Sequence, residues 1–188
     1  MKRYFLLLLF ALVTFGLSAQ EHQKFMGIPI DGSVAAMVNQ LEAKGFEEIF
    51  VDYNGAAVEG MFSGERRMVY IYDTPITEKV YQVIVVLEES SLWDTLKSTY
   101  TEYKKLLENK YGYAVGDEEF NYPYYDGCGS EMTAVSNKEC NYTRIFETST
   151  GNIRLIIGPP CCVYLVYVDK INNDICDREK ETVMSDDL

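Results

Sequence analysis

The chain has 188 residues, of which 47% are hydrophobic and 13% aromatic, with 17 basic and 29 acidic side chains and a formal net charge of -12. A negative field of that size repels phosphate backbones and anionic lipid heads, which argues against nucleic-acid and membrane-surface partners. The 15 tyrosines and 9 phenylalanines favour sheet.

The first twenty residues, "MKRYFLLLLFALVTFGLSAQ", place Lys2 and Arg3 ahead of an apolar stretch that closes on Ser18 and Ala19. This reads as a secretory signal peptide over residues 1–19, shorter than a membrane span and followed by the polar "EHQK". The expected mature chain is exported, periplasmic or secreted, with no membrane span once the signal is removed. It keeps 15 basic against 29 acidic residues, a net -14. About 169 residues suffice for one compact domain, placed at 20–170, followed by a polar tail over 171–188 whose end is expected to be mobile.

"FMGIPIDG" is a short extended lead-in, after which Ser33 can cap a helix whose Val34, Met37, Val38 and Leu41 fall on one stripe. Gly45 supplies its left-handed stop. The period then turns to alternation: "EEIFVDY", an Asn54-Gly55 hairpin turn, a return strand with a bulge expected at Gly60, then "RRMVYIYD" and "KVYQVIVVLE". These four strands make an antiparallel meander. Ser91 with Asp94 starts a second helix carrying Leu92, Leu96, Tyr100, Tyr103 and Leu107, which Gly112 ends. Strand signals return in "GYAVGDEEF", lapse through residues 121–140, and resume in "NYTRIFETS", "NIRLIIG" and "CVYLVYVD".

The order is therefore helix, four strands, helix, four strands. It predicts an α+β fold, an antiparallel sheet of about eight strands with two main helices packed on one face, and a tandem duplication of units 31–88 and 90–169 with residues 121–140 inserted. "LEAKGF" and "LENKYGY" close the two helices alike, and "VYQVIVVLE" matches "VYLVYVDK". This order resembles the tandem helix-plus-four-strand units of secreted β-lactamase-inhibitor proteins and, for one unit, small outer-membrane assembly lipoproteins. The string "FMGIPIDGSVAAMVNQLEAKGF" is similar to the start of a group of exported proteins common in gut Bacteroidetes, with no known chemistry. Neither resemblance supplies catalytic residues.

Catalytic motifs are sparse. The single histidine, His22, falls in the expected flexible N-terminus, away from any serine or cysteine triad. Neither a dinucleotide fingerprint, a phosphate loop nor a calcium loop is present, so no cofactor or metal is expected. Paired carboxylates among Glu47, Glu48, Glu59, Asp117, Glu118 and Glu119 could serve a glycosidase-like envelope hydrolase. The insertion instead gathers Tyr111, Tyr113, Phe120, Tyr122, Tyr124 and Tyr125. Tyrosines on a loop suit binding of a protein, peptide or glycan, and Tyr113, Tyr122, Tyr124 and Tyr125 are the candidate contacts. The competing reading is that the rings fold back as core.

Five cysteines in an exported chain are expected to be oxidised. Cys128 and Cys140 bracket the insertion and would close a loop lacking secondary structure. Cys161 and Cys162, both extended, would point to opposite sheet faces, so that one bridges to Cys176 or to the insertion and the other is buried. The leading expectation is a non-enzymatic exported binding protein that uses an open sheet face and the tyrosine-rich insertion.

Overall fold

The computed structural model describes residues 21–52 and 55–186, so the expected signal peptide and Asn54 of the expected hairpin turn lie outside the described residues. In chain order the elements are β1 (Lys24–Phe25), β2 (Ile28–Pro29), α1 (Val34–Glu42), β3 (Glu47–Asp52), β4 (Gly55–Phe62), β5 (Glu65–Asp73), β6 (Val80–Glu89), α2 (Trp93–Tyr111), β7 (Glu118–Phe120), α3 (Glu131–Ser136), β8 (Cys140–Thr148), β9 (Gly151–Gly158), β10 (Cys162–Asp169) and α4 (Lys170–Asp186). An antiparallel sheet of eight strands runs β3-β4-β5-β6-β10-β9-β8-β7. Two meanders thus meet at their last strands, β6 against β10, as the α+β expectation requires. Their likeness in sequence stays confined to the short junction strings.

Strand alternation divides the sheet cleanly. Val58, Val69, Val85, Leu165 and Leu155 are lateral neighbours across five strands and all are at most 2% exposed. On this core face lie Val34, Met37, Val38 and Leu41 of α1 and Trp93, Leu96, Tyr100 and Leu107 of α2. Each such buried side chain contributes about 1.5–3 kcal/mol relative to exposure. Ser33 caps α1 as expected, its hydroxyl accepting from the Ala36 amide at 3.3 Å.

Several local expectations are corrected. Gly60 pairs in register with Arg67 and makes no bulge; it is a glycine because a Cβ there would enter the Phe46 ring. The bulge falls on β3 at Ile49, between Glu48 and Phe50. Helix α2 begins one residue later than its stripe suggested: Trp93 is buried while Leu92 is 64% exposed, and the Ser90 hydroxyl, not Ser91, accepts the Leu92 amide. The segment read as a polar tail is the helix α4. It docks through an unusually polar stripe, Asn172, Cys176 and Glu179 at i, i+4 and i+7, which hydropathy cannot detect. Asn172 Nδ2 donates to the carbonyls of Ile30 and Val80, and Glu179 accepts from the amides of Ile76 and Thr77 and from the Thr77 hydroxyl. Helix α4 therefore crosses the end of the sheet from β10 past β6 to the β5–β6 turn.

Candidate functional site

The face of the sheet opposite the core is a continuous surface across its strands. One row of lateral neighbours runs Phe50, Ala57, Tyr70, Ile84, Val166, Arg154 and Ile145. A second runs Val86, Tyr164, Ile156 and Thr143. At strand spacing the first row spans roughly 29 Å. Phe50 is 45% exposed, Tyr70, Ile84, Val86, Tyr164, Ile156 and Ile145 are half-buried, and Ala57 and Val166 are buried. The Tyr164 hydroxyl donates to the Pro159 carbonyl at 2.7 Å, which fixes its ring. Burial holds the Tyr72 and Tyr164 phenols above their usual pKa, so the face presents neutral hydroxyls. Arg154 interrupts the first row between Val166 and Ile145 and is bonded to Asn152 at 2.8 Å, while at the rim Arg66 joins Glu59 at 2.8 Å to Glu47 at 3.1 Å. Alternation in "RRMVYIYD" and "CVYLVYVD" carries the outward side chains of this surface.

The tyrosine-rich segment splits. Phe120 and Tyr111 pack against the core, Phe120 with Trp93 at a ring separation of 5.0 Å and Tyr111 with Phe146 at 6.3 Å. Tyr122 is 96% and Tyr125 64% exposed, while Tyr124 is half-buried. Asp126 pins this loop to the start of α2, accepting from Trp93 Nε1 at 2.8 Å and pairing with Lys97. Tyr113, 91% exposed, follows the other end of α2, a helix of 19 residues and so roughly 28 Å long. The structure groups Tyr122, Tyr124 and Tyr125 and leaves Tyr113 apart. It also places a helix, α3, where the sequence shows only turn residues; Glu131 accepts from the amides of Gly127 and Gly129 and closes its first turn.

All five cysteines are free thiols. Cys161 lies in the β9–β10 turn with φ +94° rather than in the strand, and it packs against the core cluster with its sulfur 3.5 Å from the Ser136 hydroxyl. Cys162 opens β10 and is buried outside that cluster, so the two sulfurs do diverge. A bond from either to Cys176 is ruled out by distance. Cys176 contacts Tyr81 and Lys180 beyond the far end of β10, whose eight residues span roughly 23 Å, against a limit of about 7 Å between bridged Cα atoms. Cys140 packs at the start of β8, where burial pushes its thiol up to about 11. Cys128 stands apart at the Tyr125–Ser130 turn, and α3 fills the chain between them.

His22 is not loose. Its Nδ1 lies 3.1 Å from Asp169 and its Nε2 3.6 Å from Asp31, because burial of Phe25 and the Gln23 amide's bond to Asp169 draw the N-terminal segment onto the sheet. Among the described residues its side-chain partners are these two carboxylates rather than a serine or cysteine. Of the six candidate carboxylates, Glu47, Glu59 and Glu118 are engaged by cations. Glu47 and Glu59 converge on Arg66. Glu118 meets Lys104 at 2.6 Å and Arg144 at 2.9 Å; burial raises its pKa, but these bonds outweigh it and hold the group below the usual range, opposite to what a general acid needs. Glu48, Asp117 and Glu119 are exposed or lie on the short β7 edge. Among the described residues no helix is long and apolar enough to cross a membrane. Compared with family models, with curated proteins and with solved structures, the chain matches none of them.

Proposed function

We propose that this protein is an exported, non-enzymatic binding protein that holds a partner protein on the outer face of its sheet, with Tyr122 and Tyr125 as a second, smaller contact. The observation that supports this reading most is the row from Phe50 through Tyr70, Ile84 and Val166 to Ile145. It is a row of mainly apolar side chains, interrupted by Arg154, in which Phe50 is exposed, Tyr70, Ile84 and Ile145 are half-buried and Ala57 and Val166 are buried, while the core it would otherwise complete lies on the opposite face. Interfaces concentrate energy in such desolvated aromatic centres surrounded by polar groups. Exposed contiguous apolar surface on a soluble chain marks interaction sites.

The test is capture of partners from a native envelope extract by the wild-type chain and by a Tyr70→Glu/Ile84→Lys variant. These charges project outward, so the variant folds, and the reading expects it to lose the captured partner. Retention of the same partner by the folded variant would contradict it. A parallel Tyr122→Ala/Tyr125→Ala variant reports the share carried by the loop.

A further inference from the structure

The outer row begins at Phe50, and Phe50 lies on the terminal strand of the sheet. All six residues of β3 are exposed, with Ile49 at 50%, Phe50 at 45% and Val51 at 47%. An edge strand offers unpaired backbone donors and acceptors, and proteins normally blunt such edges. The other edge of this sheet is a strand of three residues, Glu118–Phe120.

A second copy of the chain is a poor occupant. Antiparallel pairing that aligns the apolar triad of one β3 with that of another sets Glu48 opposite Asp52 at both ends. Like charges directly opposed destabilise a strand pair. Arg66 bridges Glu47 and Glu59, which leaves that trio one formal negative charge, and Glu48 adds a second. Glu42, the last residue of α1, and Lys44 in the turn before β3 cancel. An apolar centre between acidic ends, on a chain of net charge -12, is complementary to an extended segment that is apolar in the middle and basic at its ends.

We propose that β3 is a strand-addition site, at which a partner protein supplies an extended, lysine- or arginine-flanked apolar segment as a ninth strand. This rests on the binding-protein reading above. Main-chain bonds to the edge would give affinity, and the side chains flanking Phe50 would give register and charge selection.

The probes are synthetic peptides of alternating valine and threonine, flanked by lysines, by glutamates, or interrupted by proline. Fluorescence anisotropy measures binding to the full chain, hydrogen exchange maps it, and sedimentation reports oligomeric state. The lysine-flanked peptide is expected to bind and protect amides 47–52, and the proline-interrupted one is not. Glu47→Lys/Glu48→Lys should weaken the lysine-flanked peptide about tenfold and favour the glutamate-flanked one. Equal binding of both charge types, no protection of 47–52, or self-association through β3 would overturn the proposal. Protection confined to β6 and β10 would also overturn it while leaving the outer-face reading standing.

Discussion

The carboxylate of Asp169, at the end of β10, accepts the backbone amide of Gln23 at 2.8 Å across 146 residues of chain. The same side chain accepts the Asn172 amide at 2.8 Å and is fully buried, so one residue ties the N-terminal segment and α4 to the sheet. Removing a buried acceptor strands its donors and costs the desolvation of each. Asp169→Ala should destabilise the fold by about 3 kcal/mol in urea titration. It should also raise exchange at the Gln23 and Asn172 amides together. Loss of protection at only one would show that the two segments dock independently.

Acid should release the tyrosine-rich loop before the core. Hydrogen bonds from Lys97 and then from Trp93 hold the Asp126 carboxyl below its ordinary value of 3.8. A depressed pKa means that docking gains stability that is fully present above 3.8 and is lost as pH falls through the lower folded value. Trp93 is the chain's single tryptophan, so its fluorescence reports the event directly. The expected acid transition is lost when Asp126 is replaced by Asn, because the indole keeps an acceptor but the titrating charge is gone; an unchanged transition in that variant would show that another group controls the loop.

Gly60 and Phe46 form a size-matched pair between β4 and the chain leaving α1. Gly60→Ala should cost about 1–3 kcal/mol, the usual penalty for overpacking. Phe46→Leu in the same chain should recover part of it, and a double-mutant cycle by chemical denaturation measures the coupling. Strict additivity of the two changes would mean that the ring is not what excludes a side chain at position 60.

Periodicity made the two main helices, the eight main strands and their order legible, since each amphipathic element writes its own repeat. The closing helix was not legible, because α4 docks through Asn172, Cys176 and Glu179 and carries no apolar stripe. Gly60 was misread for a related reason: a glycine within a strand reports either a bulge or a close approach, and only the position of Phe46 decides between them. Among the candidate contacts, Tyr122, Tyr124 and Tyr125 are neighbours in sequence and stay so in space. Tyr113 does not, because a full helix length separates it from them. The outer-face row from Phe50 to Ile145 joins strands distant in the chain, and no local pattern announces their lateral pairing.

The oxidised protein should contain no link between Cys176 and either Cys161 or Cys162. Cys176 lies past one end of β10 and the pair at the other, so forming that bond would require unfolding the strand. A non-reducing peptide map of the purified chain checks this. Recovery of a peptide joining Cys176 to the 158–170 segment would contradict the strand geometry described above.

The most direct test of the outer face as a binding surface is site-specific photo-crosslinking in the native envelope. A photoreactive phenylalanine analogue at Tyr70 should trap a discrete partner protein. The same analogue at Glu102, exposed on the outer side of α2, should not. Crosslinking at position 102 with none at position 70 would contradict the account.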